Sequence, residues 1–136
     1  MLIDPSTFRR IVRVRQRLLA NDDATIAELA RNVGMSPSRM IRLFAALFGE
    51  TPHRLRTRVR LDRARELLAD GAQVTSVCME VGFSSLGSFS SLFTRESGTP
   101  PSRYRESAAA KEAPVVPGCL GMLAGLPRNF REASGR

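Results

Sequence analysis

LARNVGMSPSRMIRLFAALFGETPHRLR, residues 29–56, is answered by VCMEVGFSSLGSFSSLFTRESGTPPSRYR, residues 77–105. Val77, Cys78, Val81, Gly82, Phe83 and Ser84 repeat Leu29, Ala30, Val33, Gly34, Met35 and Ser36 at an offset of 48. Phe89, Phe93, Gly98, Pro101, Arg103 and Arg105 repeat Met40, Phe44, Gly49, Pro52, Arg54 and Arg56 at an offset of 49. One residue has therefore been added in the second copy, near Ser84 to Gly87. A repeat of this length marks duplicated supersecondary units, so the reading of one copy decides the fold of both.

The first copy reads as two helices and a tight turn. Thr25-Ile-Ala-Glu28 has capping-box spacing, in which the Thr and Glu side chains satisfy free backbone donors at a helix start. Ile26, Leu29, Ala30 and Val33 give that helix its apolar face, and Gly34 ends it. Ser36 and Pro37 open the next helix, with Met40, Phe44, Leu47 and Phe48 inward until Gly49. Two helices joined by a few residues including a Gly make a helix-turn-helix, whose second helix offers its N-terminal residues to a DNA groove. This predicts one unit over 25–49 and another over 74–98.

Working outward, Asp4 and Pro5 open an earlier helix whose apolar stripe is read as Phe8, Ile11, Val12, Leu18 and Leu19. Between the copies, Leu55, Val59, Ala64, Leu67 and Leu68 predict a connecting helix over 52–70, stopped by Gly71. At about 1.5 Å per residue it spans roughly 28 Å, against about 34 Å between successive major-groove faces. A closing helix is expected over 100–107, and AAAKEAPVVPG reads as the start of a linker. Alternating strand patterns are absent. The expected fold is all-α, about seven helices, with residues 1–107 as one domain. Residues 108–136 are read as a linker and tail, disordered or loosely docked through Leu120, Met122, Leu123 and Phe130.

Charge narrows the function. The 136-residue chain carries 21 basic and 13 acidic residues, a net charge of +8. Lys111 is the one lysine; the other 20 are arginine, whose planar fork of donors suits phosphates and guanine edges. From Arg39 to Arg65 there are eight Arg against Glu50 and Asp62, whereas from Glu66 to Ser107 three Arg face five acids. Nucleic acid is the leading partner class, the bland alternative being an Arg-rich composition colouring an ordinary surface.

Other classes find little support. Cys78, Cys119 and the single His53 assemble no zinc-ligand set, so neither a metal nor another cofactor is expected, and no enzyme. Cys78 replaces Ala30 and is read as a small buried residue, and His53 as a surface residue. No apolar run approaches the roughly 20 residues of a membrane span, and MLIDPSTFRR has no signal-peptide core. A reducing, cytoplasmic setting is expected.

The segments 29–44, 49–68 and 81–105 together resemble the DNA-binding domain of the AraC/XylS family of bacterial transcription regulators, over roughly residues 6 to 107. The resemblance implies seven helices and two units that read adjacent major-groove faces. It also implies residue roles. Ser38, Ile41 and Arg42 stand where members make base contacts, and Arg39 replaces a common aromatic or His. Gly87, Ser88, Ser90 and Ser91 are the counterparts in the second copy; Ser91 stands where Arg is common, Ser85 where Asp is common. Ser36, Arg54, Arg56, Ser84, Arg95, Arg103 and Arg105 are expected at phosphates. Ala45 stands where a basic residue is usual, which removes one such contact.

The implied partners are double-stranded DNA and RNA polymerase, with activation somewhat favoured over repression and the nucleoid as the site of action. Only about 20 residues precede the first unit, so a stand-alone member without an effector-binding domain is expected. Two alternatives stay open at this point: a helical module that binds protein, and a fragment of an alkyl-acceptor DNA-repair protein, which would need a reactive cysteine.

Overall fold

The computed structural model describes residues 3–112. The expectations about the tail, including Cys119, Leu120, Met122, Leu123 and Phe130, lie outside them. Seven α-helices and no strand are found among the described residues: α1 (Pro5–Leu19), α2 (Ile26–Asn32), α3 (Pro37–Phe48), α4 (Pro52–Ala69), α5 (Val74–Glu80), α6 (Leu86–Ser97) and α7 (Pro101–Glu112). None is long and apolar enough to cross a membrane. The chain divides into two compact units, Met1–Ala64 and Arg65–Arg136, with the division inside α4.

In the first unit, Asp4 caps α1. Its carboxylate accepts the Thr7 amide at 3.1 Å and the Thr7 hydroxyl at 2.6 Å. These bonds and that of Ser6 hold the Asp4 carboxyl far below the usual carboxylate range. With its hydroxyl satisfied, Thr7 is buried, and the inward stripe becomes Thr7, Ile11, Val14 and Leu18. The expected stripe was rotated: Phe8 is 42% and Leu19 43% exposed. Hydropathy alone favoured Phe8 over Thr7; a local hydrogen bond reversed the choice.

The capping box forms as expected. The Thr25 hydroxyl accepts the Glu28 amide at 3.0 Å, and Glu28 accepts the Thr25 amide at 2.8 Å. Gly34 (φ 71°) makes the turn into α3, and Gly49 (φ 76°) ends that helix, both in the left-handed region that disfavours a Cβ. Ile11, Val14, Leu18, Leu29, Ala30, Met40, Phe44 and Leu55 form the core, in which α3 packs against both α1 and α2.

The second unit repeats this plan with more aromatic packing. Val77, Cys78 and Val81 from α5 and its turn are buried, as are Phe89 and Phe93 of α6. Phe83, Phe89, Phe93 and Tyr104 form a chain of rings with centroids 5.3, 5.7 and 5.4 Å apart. Within α4 the buried positions are Pro52, Leu55, Leu61, Ala64 and Leu68, so Leu61 joins the core while Val59 and Leu67 stay half-buried. The closing helix runs five residues beyond the expected Ser107, to Glu112. Ala108–Ala110 are the strongest helix formers and extend it, so the linker reading of AAAKE was wrong.

Candidate nucleic-acid interface

Helix α3 is fixed by its own sequence. The Ser36 hydroxyl accepts the Arg39 amide at 3.2 Å, Pro37 occupies the first turn, and Met40 and Phe44 anchor one face in the core. The helical period then turns Ser38, Arg39, Ile41 and Arg42 to solvent, and all four are exposed. The guanidinium groups of Arg39 and Arg42 make no hydrogen bond or ion pair with any described residue. Three positions apart, they lie side by side on the helix surface as an uncompensated positive patch. The Ser36 hydroxyl, also exposed, keeps its own O–H free to donate.

Helix α6 has the same frame and different contents. Its N-cap is Ser85, whose hydroxyl accepts the Ser88 amide at 3.2 Å. The equivalence of Ser84 with Ser36 is therefore corrected: Ser84 is the added residue of the second turn, and Ser85 holds the place of Ser36. The offset changes from 48 to 49 at this residue: α5 ends 48 residues after α2, and α6 starts 49 residues after α3. Gly87, Ser88 and Ser91 are exposed. Ser90 is half-buried, and its carbonyl accepts the Thr94 hydroxyl at 2.7 Å.

The arginines expected at phosphates separate into two groups. Arg54 and Arg103 are exposed, and their guanidiniums have no partner among the described residues. Arg95 is exposed and 3.6 Å from the carboxylate of its neighbour Glu96, a contact that leaves it facing solvent. Arg56 does not belong with them. Its Nη2 donates to the Asp22 carbonyl at 3.1 Å and also to the Ala24 carbonyl. Arg105 donates from Nε to the Gly71 carbonyl at 3.0 Å.

Each of the two reaches back 34 residues, to the loop that leads into the first helix of its own helix-turn-helix, α2 or α5. Loop carbonyls after a helix lack helical partners, and a guanidinium can satisfy them. Two positions beyond Arg54 or Arg103, a side chain points to the opposite side of the helix and inward. Burial lowers the pKa of Arg56, with Arg60 adding to the effect and Asp22 and Asp23 opposing it. A guanidinium remains charged regardless.

Other arginines of the basic excess are also internal ties. Arg10 donates to the Val33 carbonyl at 3.0 Å, closing the end of α2. Arg17 pairs with Asp22 at 2.9 Å and holds that carboxyl below its usual value. Arg15 lies 5.0 Å over the Phe48 ring, and Arg58 pairs with Glu50 at 2.5 Å. Arg65 donates to the Ser97 hydroxyl at 3.0 Å and lies 5.9 Å over Phe93. A count of charges along the chain treats all arginines alike and misses these roles. Repetition did not separate them, since Arg54 and Arg103 repeat at the same offset as Arg56 and Arg105.

His53 is exposed. Cys78 is buried, and burial pushes its thiol up, away from the reactive thiolate. Among the described residues no group of His, Cys, Asp or Glu is arranged to hold a metal ion.

Two capped helix pairs, each ending in a glycine and each presenting the exposed face of its second helix, define a paired helix-turn-helix protein. A family model described as a helix-turn-helix domain matches residues 29–107, more than half of the chain. The solved structure of a probable AraC family transcriptional regulator from Rhodopseudomonas palustris superposes with a TM-score of 0.65 at 31% identity, over 74% of this chain and 97% of that one. The chain belongs to this helix-turn-helix family, of the AraC type.

The DNA-binding domain of AdpA, solved in complex with a target DNA, gives a TM-score of 0.64 at 26% identity, over 79% of this chain and 96% of that one. The probable transcriptional regulator LumQ of Photobacterium leiognathi is 39% identical over 85 residues, 60% of this chain and 33% of LumQ. The chain spans about a third of the length of the curated relatives it matches.

Proposed function

We propose that this protein is a sequence-specific double-stranded DNA-binding transcription regulator that sets α3 and α6 into major-groove faces. The observation that carries the reading is the pair Arg39 and Arg42: exposed, without internal partners, on the first two turns of the second helix of a helix-turn-helix. A charge pair kept free of ion pairs on a surface rich in arginine is what phosphate and guanine recognition requires. The DNA-bound AdpA domain, a structural neighbour above 25% identity, supports it.

In this reading Ser38, Arg39, Ile41 and Arg42 read bases from α3, with Arg42 forking to a guanine. Gly87, Ser88, Ser90 and Ser91 contribute from α6. Ser36, Ser85, Arg54, Arg95 and Arg103 hold phosphates, while Arg56 and Arg105 keep the scaffold in register. Regulation would run through RNA polymerase, in the sense of activation, in the bacterial cytoplasm at the nucleoid. The relatives include a transcriptional activator, RclR of Escherichia coli.

Selection of bound sequences from a random duplex pool tests the reading, followed by titration of wild type and Arg42→Ala on the selected site. The expected result is an enriched site, steep weakening with salt, and a loss of about 1–3 kcal/mol in Arg42→Ala that relaxes one base position. An Arg42→Ala loss that is equal on every sequence would show Arg42 to be a phosphate contact. Absence of binding to any duplex at low salt would sink the DNA reading altogether.

A further inference from the structure

Helix α6 begins with a large apolar side chain in water. Leu86 follows the capping Ser85 and is 45% exposed, although Phe89 and Phe93 of the same helix are fully buried. Its place in the first turn is the part of a second helix that approaches base edges. Around it the surface is bare. Ser85, Gly87, Ser88 and Ser91 are all exposed. A Cβ at Gly87 would meet only the Ser85 hydroxyl, at 3.7 Å, so the interior does not demand a glycine there. The missing side chain keeps the flank of Leu86 open to a close-approaching surface.

The chemistry of this face limits what it can tell apart. A serine hydroxyl both donates and accepts, so it discriminates weakly between bases. No exposed charge stands between Ser84 and Ser91 to fork to a purine. The remaining group with a base preference is Leu86. In the major groove an alkyl side chain is matched by one feature, the 5-methyl group of thymine, which cytosine lacks.

We infer that Leu86 is a specificity-determining residue of the second unit, reading a thymine 5-methyl group by apolar contact. This rests on the DNA-reading function proposed above and deepens it. The first unit reads chiefly through the charged forks of Arg39 and Arg42, and the second takes its base preference from the burial of a methyl group.

The test removes that one methyl group from the DNA. In the site selected by the 136-residue chain, each thymine is replaced in turn by deoxyuridine, and affinities are measured for wild type and Leu86→Ala. Leu86 is exposed, and circular dichroism checks that the variant keeps its helix content. The expected result is one thymine at which deoxyuridine weakens wild type about fourfold, the value of one buried methyl at roughly 0.8 kcal/mol. Leu86→Ala should be indifferent to deoxyuridine at that position and unchanged in its response at every other.

Identical deoxyuridine responses of the two proteins at every thymine, or no response anywhere in the site, would overturn the assignment while leaving the DNA-reading function intact. Failure to enrich any sequence would overturn that function and this assignment with it.

Discussion

The two helix-turn-helix units share a frame and differ in what they hold out. Gly49 and Gly98 end α3 and α6 in the same left-handed conformation, and Met40 and Phe44 anchor α3 as Phe89 and Phe93 anchor α6. Arg56 and Arg105 donate to loop carbonyls 34 residues upstream in both. Yet α3 exposes Arg39 and Arg42, where α6 exposes Ser88 and Ser91. The two copies keep the parts that fold and differ in the residues that α3 and α6 hold out to solvent. Most of what repeats here is scaffold, the exposed pair Arg54 and Arg103 excepted, and the candidate base-contacting face lies where the repeat breaks down.

That comparison is open to attack in order of effect. The largest blow falls on the shared frame. Phe44→Ala and Phe93→Ala each delete a fully buried ring and should each cost about 3–5 kcal/mol in denaturant unfolding. A small loss in either would mean that the two frames are not equivalent.

Next come the paired latches. Arg56 is half-buried and serves two carbonyls, so Arg56→Ala should cost about 1.5–3 kcal/mol of stability, and Arg105→Ala, with one acceptor, about half of that. Neither change should alter the slope of DNA affinity against salt beyond what general unfolding causes, whereas Arg54→Ala should reduce it by about one counterion. A salt slope lowered by Arg56→Ala at full folding would return Arg56 to the phosphate group.

A gentler change sharpens the difference between the reading faces. Ser91→Arg places an arginine on α6 where α3 has Arg42, on an exposed position that needs no repacking. It should add about 1 kcal/mol of preference for a new purine in the selected site, with stability unchanged. A variant that only binds all DNA more tightly would show that the second face does not present its residues to base edges.

The smallest effect concerns acid. Bonds to Thr7, Ser6 and Arg17 hold the carboxyls of Asp4 and Asp22 below their unfolded values, so both favour the folded state above that range. Their contribution should be complete above about pH 4 and fade as pH falls further, when the carboxylates protonate. Both residues belong to the first unit, so Asp22→Asn should flatten the acid loss of helicity there and leave the signals of the second unit unmoved.

Much of this architecture is legible without a structure, and the reason is that its signals are local. A capping box, a proline at the first turn and a glycine in the left-handed region act within four residues, so α2, α3 and their turn could be read from Thr25 to Gly49. The exposed face of α3 followed too, since Met40 and Phe44 take the inner side and leave the outer one for Arg39 and Arg42. Misreadings came where local signals were balanced. Phe8 against Thr7 was decided by a carboxylate three residues away, and Ser84 against Ser85 by which hydroxyl reaches the Ser88 amide. The linker assignment of Ala108–Glu112 failed for a simpler reason, since helix propensity there outweighed the change in composition.

By itself the sequence determined the helices, the duplication, the caps of α1, α2 and α3, and the outward residues of α3. Only tertiary structure decided what each arginine is for. Arg54 and Arg56 stand two residues apart with identical chemistry, yet one faces solvent and the other holds the carbonyls of Asp22 and Ala24. Nothing within several residues of either distinguishes them. The acceptor lies more than thirty residues away along the chain, and a carbonyl left over at a helix end becomes a partner only once folding has brought it beside the guanidinium.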